Sequence, residues 1–122
     1  MSKNTASRCA YGRPPDVPDH RDHQSAAPTI HRAKLPAKAD LRAQCLPVYD
    51  QGELGSCTGN AIAGAIQFGR SKAAQQPDFI PSRLFIYYNE RVMEHSVASN
   101  SGAQIRDGIK SVGKQGDCPE AE

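Results

Sequence analysis

The sequence has no tryptophan and few other aromatic side chains. Its 122 residues include three Phe and four Tyr. So few large rings leave little with which to fill the core of a free-standing domain of this length. We therefore expect a part of a larger fold, with a face that is completed from elsewhere.

The sequence also lacks an excess of charge and a long apolar run. The formal net charge is +2, from 15 Lys and Arg against 13 Asp and Glu, which is too balanced to indicate nucleic acid or an anionic membrane as a partner. No apolar run approaches the roughly 20 residues that span a bilayer. The first residues, MSKNTASRCAYGRPP, have no apolar core of the secretory type. The sequence thus predicts no nucleic-acid partner, no membrane partner and a cytoplasmic location.

Cysteine is scarce and scattered, at Cys9, Cys45, Cys57 and Cys118. No CxxC pair and no His/Cys cluster at zinc-ligand spacing appears. The DHRDH run at 19–23 could bind a metal, but a solvated segment is the more common meaning of such a run. We expect no metal and no cofactor. A disulfide framework is possible but not indicated, and Cys45–Cys118 is the pair to test.

The composition divides the chain into two parts. Residues 1–34 are rich in Pro, Asp, Arg, His and Ser and show no apolar period. Such a segment cannot bury enough surface to offset its ordering entropy, so we expect a polar leader that is extended or disordered on the surface. Residues 35–122 are predicted to form a helical unit. Its opening, LPAKADLRAQCLPVYDQG, predicts an extended segment with a brief strand or turn.

Three helices are predicted in the second part. The first begins near Cys57, and its apolar positions recur at helical spacing at Ile62, Ala65, Ile66 and Ala73. The second covers SRLFIYYNERVMEH, residues 82–95, with one broad apolar face at Leu84, Phe85, Tyr88 and Val92.

The third helix has sequence signals at both ends. Ser101 can act as the N-cap, and Gln104 three residues later completes a capping-box pattern. Gly116 stands where a C-terminal glycine stop is expected. The sequence therefore predicts a helix that starts after Ser101 and ends at Gly116.

Three side-chain groups have a structural explanation that is more common than a functional one. The aromatic cluster of the second helix is expected in the core rather than as a substrate wall (Phe85, Tyr87, Tyr88). The acidic and basic pair that follows is expected on an exposed charged face rather than against substrate (Glu90, Arg91). The basic residues of the third helix predict a solvated face, not a nucleic-acid patch (Arg106, Lys110, Lys114).

Cys57 stands where the glycine loop GELGS becomes a helix. A thiol attacks as its thiolate, and the unpaired N–H groups of a first helical turn favour an anion there. The backbone N–H of Cys57 would form half of an oxyanion hole, and the Gln51 amide could form the other half. Taken from spacing alone, a buried and inert cysteine beside small residues is the more common case.

The run Gln51-Gly-Glu-Leu-Gly-Ser-Cys57 resembles the active-site segment of the papain-like cysteine peptidases, bacterial members included. In that family a Gln-Gly-x-x-Gly-Ser-Cys run carries the oxyanion glutamine and the nucleophile. The resemblance therefore implies Cys57 as the nucleophile and Gln51 as the oxyanion donor. It also implies an α+β, two-lobed fold, of which this chain is the mostly helical first lobe.

The resemblance extends along residues 35–122 and also touches the leader. LPAKADLR is similar to the strand that opens the mature enzyme, and SRLFIYYNER to the second helix. Residues 100–116 are similar to the substrate rim and the third helix. PDVPDHRD, residues 15–22, is similar to the lead-in of bacterial members.

The resemblance implies a polypeptide substrate and residues that contact it. Gly55 and Ser56 lie beside the nucleophile, and Gly102 with Ala103 would offer backbone to an extended peptide, as a strand-like partner. These four positions are the expected substrate-binding residues.

This sequence departs from the family at three points. Leu54 replaces a cysteine that forms a disulfide in many members, consistent with a reducing location, and Thr58 replaces a common aromatic residue. The family's His and Asn lie about 130–150 residues after the cysteine, whereas this sequence runs only to residue 122. We expect both in a second lobe, and this chain alone to be nearly inactive. His95 is expected as a surface residue at a helix end, not as a substitute base.

Three functions remain open at this point. The first is a cysteine peptidase that works through an acyl-enzyme in the complete protein. The second is a catalytically incomplete fragment or remnant that at most binds peptides and self-associates through an exposed lobe face. The third is another Cys-dependent acyl transferase, such as an amidase or a transglutaminase-like enzyme, which the Gln-to-Cys spacing favours less.

Overall fold

A computed structural model describes residues 14–23, 35–75 and 77–121. It contains a short 3-10 turn, Arg42–Gln44, followed by three α-helices. These are α1 (Cys57–Lys72), α2 (Arg83–Met93) and α3 (Ile105–Gln115). The predicted number and order of helices are therefore confirmed.

The described ranges contain no strand, and their extended pairing is limited to one antiparallel bridge between Pro81 and Pro119. Residues 35–41, where the family resemblance implied a strand, run irregularly into the 3-10 turn. The mostly helical character of this part is thus confirmed, while its sheet content is not seen here. No helix in these ranges is both long and apolar enough to cross a membrane.

The three helices pack on one another around a small core. Ile62 and Ala63 of α1 meet Ile86 of α2, and three partly buried side chains pack around them: Tyr49, Ile66 and Val112. Glycines at the helix contacts allow the helices to come close to one another. A Cβ on Gly59 would come within 2.7 Å of the Arg83 carbonyl oxygen, and one on Gly108 would overlap Glu90 Oε1 and Ile62 Cδ1. These two glycines thus let the helices pack closely around the small core.

The buried face of α2 is rotated from the predicted one. Leu84, Tyr88 and Val92 are 59%, 52% and 44% exposed, so the prediction of a packed face through these residues is wrong. The packed face consists of Ile86, Tyr87 and Glu90. Of the aromatic cluster expected in the core, Tyr87 is buried, Phe85 is half-buried and Tyr88 is exposed.

Helix α3 begins later than its sequence signals predict. Its N-cap is Gln104, with no side-chain capping bond, and Ser101 is exposed outside the helix. The Gln104 N–H instead donates to Glu94 Oε1 at 2.6 Å, and Gly102 has a left-handed φ of 76°. The capping-box prediction is therefore wrong. Residues 101–104 form a non-helical rim that contains the left-handed Gly102, and Gln104 is itself the N-cap. The glycine stop is confirmed: Gly116 is the C-cap, and its N–H donates to Val112 O at 2.8 Å.

Residues 14–23 lie across the start of α3. The Val17 N–H donates to Gln104 Oε1 at 3.1 Å, and Asp16 Oδ1 accepts from the Arg106 N–H at 3.2 Å. The Arg106 guanidinium donates to both oxygens of Asp22 at 2.8 and 2.7 Å, which holds the pKa of Asp22 below its usual value. Arg106 thus belongs to an ion pair rather than to the fully solvated face that the sequence predicted. The remainder of the leader lies outside the described residues.

Helix α1 ends in a left-handed alanine. Ala74 has a φ of 50°, its N–H donates to Ser71 O, and the Gln75 N–H donates to Arg70 O. This pair of bonds is the Schellman motif, in which the left-handed position favours glycine because a Cβ is strained there.

Replacing Ala74 by glycine is expected to raise the free energy of unfolding by about 0.5–1 kcal/mol, through relief of this strain. Urea unfolding followed by circular dichroism measures the change. Ala73→Gly is the matched control, because Ala73 has a right-handed φ of −85° and glycine there only adds chain entropy. Equal effects of the two substitutions would contradict the strain argument.

Candidate active site

The glycine loop before α1 is held against the rim before α3. The Gly55 N–H donates to Asn100 Oδ1 at 2.8 Å, and the Tyr87 hydroxyl donates to the same oxygen at 3.1 Å. A Cβ on Gly55 would stand 2.9 Å from Asn100 Oδ1 and 3.4 Å from the Gly102 nitrogen. Two segments that the sequence predicted for one site are thus brought into contact, and the absence of a side chain at Gly55 permits it.

Cys57 is the first residue of α1, as predicted, and is partly exposed. Both of its neighbours are buried, Ser56 at 2% exposure and Thr58 at 1%. The Asn60 side-chain amide donates to Ser56 O and Ser56 Oγ at 2.8 and 3.0 Å. On the other side, Thr58 Oγ1 donates to Glu90 Oε2 at 2.6 Å. The thiol is therefore accessible on a stretch of backbone that is fixed on both sides, within the helical turn whose N–H groups favour an anion.

Gln51 is half-buried beside this junction. Its Nε2 donates to the Leu54 carbonyl oxygen at 2.9 Å, which leaves the second amide hydrogen for another acceptor. Gln51 and Ser56 line a cavity of about 110 Å³ together with Asn60 and Arg83. Cys57 does not line this cavity. The fold thus places Gln51 at the loop–helix junction, with its amide turned toward the loop backbone.

The predicted substrate-binding positions differ in accessibility. Ser56, Gly102 and Ala103 are buried, whereas Gly55 is partly exposed. Ala103 is 0% and Ser56 2% exposed as whole residues, so their backbone atoms are covered as well as their side chains. Gly55 is the most accessible of the four positions.

Glu90 is the residue of this region for which the predicted exposure is wrong. It was predicted on an exposed face, yet it is 0% exposed. Burial raises the pKa of Glu90 to about 7, the Thr58 hydroxyl counteracts this shift, and the Glu94 and Asp107 charges add to it. A signal was present in the sequence, because Glu90 follows Ile86 by four residues and Tyr87 by three and so shares their helix face.

Arg83 is a second residue that the sequence did not indicate. Its guanidinium pairs with Glu120, with the shortest N–O distance 2.6 Å, donates to Asp50 O at 3.0 Å, and lies 4.9 Å from the centre of the Tyr49 ring. The side chain connects the segment before the glycine loop, the start of α2 and the segment after α3.

The described histidines are on the surface. His95 is exposed with a φ of 54°, at the left-handed position that closes α2, where the Ser96 N–H donates to Arg91 O at 2.9 Å. The prediction of His95 as a surface residue at a helix end is thus confirmed. His20 and His23 are exposed on the leader, and His31 lies outside the described residues. No group of three or more potential ligand side chains suits a metal ion within the described ranges.

The remaining cysteines do not form the disulfide considered from the sequence. Cys45, Cys57 and Cys118 are each free, and Cys9 lies outside the described ranges. Cys118 instead takes part in a backbone hydrogen bond: its carbonyl oxygen accepts from the Ser82 N–H at 2.7 Å.

The structure thus presents a partly exposed cysteine at a helix start, behind a glycine loop and beside the rim before α3. Comparison with known proteins shows which class of protein the chain resembles. No protein-family model matches the sequence. The chain is 57% identical over 77 residues to an "uncharacterized peptidase C1-like protein" of Acanthamoeba polyphaga mimivirus, covering 63% of this chain and 25% of that protein.

The fold is similar to that of xylellain, a cysteine protease from Xylella fastidiosa, with a TM-score of 0.80 and 54% sequence identity. The match covers 93% of this chain and 42% of the xylellain chain. Its resemblance to the papain-like cysteine peptidases is thus confirmed in sequence and in fold. The chain spans about a quarter of the viral protein and less than half of xylellain.

Proposed function

We propose that the complete protein is a cysteine peptidase with Cys57 as its nucleophile. The observation that carries the proposal is the position of Cys57. It is partly exposed at the start of α1, between Ser56 and Thr58, which are buried and hydrogen-bonded to Asn60 and Glu90. The similarity to xylellain over nearly the whole chain supports it.

The proposed chemistry uses Gln51 and Cys57, the residues at the two ends of the glycine loop. The Cys57 thiolate attacks the carbonyl carbon of a peptide bond, and the negative oxygen that forms is stabilised by the Cys57 N–H and the Gln51 amide. Collapse of this intermediate breaks the C–N bond and leaves a thioester, which water hydrolyses to regenerate the thiol. Gly55, the partly exposed member of the predicted substrate-binding positions, is proposed to offer backbone to the substrate chain.

The general base is proposed to lie outside these 122 residues. A histidine in the part of its relatives' length that this chain does not span would take the thiol proton and return it to the leaving amine, oriented by an asparagine. That part would complete the α+β, two-lobed fold. The 122-residue chain alone would then be inactive, a fragment that at most binds peptides.

An exposed apolar groove supports the proposal that a further part of the fold packs on this chain. Residues of α1 and α3 line an open groove of about 460 Å³: Ala61, Ile62, Ala65, Ile66, Ile105, Ile109 and Val112. Ile109 is 60% exposed. Such a surface promotes self-association when nothing covers it.

Covalent labelling tests the proposed nucleophile. We expect an epoxysuccinyl inhibitor to modify Cys57 when this chain replaces the aligned part of xylellain in a chimera, and not in the isolated chain, because ring opening needs the base. Peptide mass spectrometry locates the label, and Cys45→Ser is the control that should not change it. A folded chimera that is labelled at another cysteine, or not at all, would refute the assignment.

A further inference from the structure

We propose that Glu90 is a positioning residue for the nucleophile: through its hydrogen bond with Thr58, it fixes the first turn of α1 and thereby the Cys57 thiol. This inference rests on the proposed role of Cys57 and extends it to a residue on another helix.

The contact that carries the inference is short and fully enclosed. Thr58 Oγ1 donates to Glu90 Oε2 at 2.6 Å, a distance typical of an O–H bond to a carboxylate. Thr58 is 1% exposed and Glu90 is 0% exposed, so water does not compete for either group. Because Thr58 directly follows Cys57, a shift of its side chain moves the backbone of the first turn of α1, to which Cys57 belongs.

Helix α3 confines the Glu90 carboxyl group next to Thr58. Helix α3 packs against it at Gly108, where even a Cβ would overlap Glu90 Oε1. Oε1 has no hydrogen-bond partner among the described residues, so the Thr58 bond is the polar contact that the structure gives to Glu90. A buried carboxylate with so little compensation is costly for stability alone, which favours a role in placing Thr58.

The strength of this bond depends on the ionisation of Glu90. Burial raises the pKa of Glu90 to about 7, and the Thr58 hydroxyl opposes the shift. The charges of Glu94, the C-cap of α2, and Asp107 on α3 add to it. The charged residues of α1, Arg70 and Lys72, lie in its last turn. Above pH 7 the bond to Thr58 is charge-assisted, and below pH 7 it is a weaker bond between neutral groups.

The test measures the alkylation of Cys57 in the 122-residue chain between pH 5.5 and 8. Iodoacetamide rates at Cys57 and Cys45 are obtained from one sample by peptide mass spectrometry. Cys45 is exposed and serves as the internal reference. The reagent and the buffer are common to both thiols, so any pH dependence that the two rates share cancels in their ratio.

We expect the ratio of the Cys57 rate to the Cys45 rate to rise about fivefold through pH 7. The rise should disappear in Glu90→Gln, which does not ionise, and in Thr58→Val, which lacks the hydroxyl. It should persist in Thr58→Ser, which keeps the hydroxyl. A purely structural role for Glu90 would not produce this pH profile or its rescue by serine.

A flat ratio in the native chain would overturn the proposal. A ratio that falls through pH 7 would also overturn it, because Glu90 would then act only as a negative charge that disfavours the thiolate. The native profile decides even if a variant fails to fold. Since alkylation needs no peptidase activity, failure here leaves the labelling test of Cys57 standing, and the reverse also holds.

Discussion

Replacing Cys57 by alanine is expected to reduce the peptidase activity of the xylellain chimera by about 10³-fold or more. Removal of the nucleophile leaves only substrate binding and oxyanion stabilisation, which together retain a small part of catalysis. The ratio kcat/KM on a fluorogenic peptide measures the loss. The expected reduction appears in kcat, because Cys57 forms its bond with the substrate only during reaction.

Two companion variants make this result specific. Cys118→Ala removes a partly exposed thiol of the same chain and should change kcat/KM by less than about twofold, because the Cys118 contact with Ser82 uses the backbone carbonyl. Gln51→Ala should reduce kcat by about 10²-fold, as the loss of one oxyanion donor does elsewhere. If the Cys57→Ala chimera cleaves as well as its parent, the nucleophile is not Cys57.

Replacing Gly108 by alanine is expected to lower the free energy of unfolding by about 3 kcal/mol, at the upper end for an overpacked core. The added methyl group would overlap both Glu90 Oε1 and Ile62 Cδ1. Glu90 is enclosed and Ile62 belongs to the core cluster, so both side chains must repack to admit the methyl group. Urea unfolding of the 122-residue chain, followed by circular dichroism, measures the loss.

Gly113 provides the matched control on the same helix. It is exposed, and a Cβ there meets nothing within 4 Å. Gly113→Ala should therefore stabilise the chain by about 1 kcal/mol, because alanine has the higher helix propensity. The two substitutions differ only in what surrounds the new methyl group. Similar stability of the two variants would show that α3 does not pack closely on α2.

The helices and the site cysteine were predictable because their signals are local. The glycine loop followed by small residues indicated a helix start at Cys57, and Gly116 indicated the end of α3; both agree with the structure. The proximity of the loop to the rim followed from the family resemblance. The contact itself depends on Asn100, which no local pattern singled out.

The errors arose where tertiary contacts override local preference. Ser101 and Gln104 form a capping-box pattern, but the Gln104 N–H donates to Glu94, the C-cap of α2, so the helix starts later. Hydropathy predicted the wrong buried face of α2, because leucine is more often buried than glutamate. Here Leu84 is exposed and Glu90 is buried. Glu90 is buried because Thr58 satisfies one of its oxygens and Gly108 leaves it room. Both partners lie on other helices, beyond the reach of a periodicity argument.

The meeting of three helices at one carboxylate constrains how this protein can evolve. Positions 58, 90 and 108 supply a hydroxyl, a carboxylate and a vacant Cβ site to the same small volume. A larger residue at 108 becomes acceptable only after the side chain at 90 has shortened, and a shorter residue at 90 leaves the hydroxyl at 58 without its acceptor. Each of these single steps leaves either an overlap or an unpaired hydroxyl, so we expect inherited change here to proceed by linked substitutions.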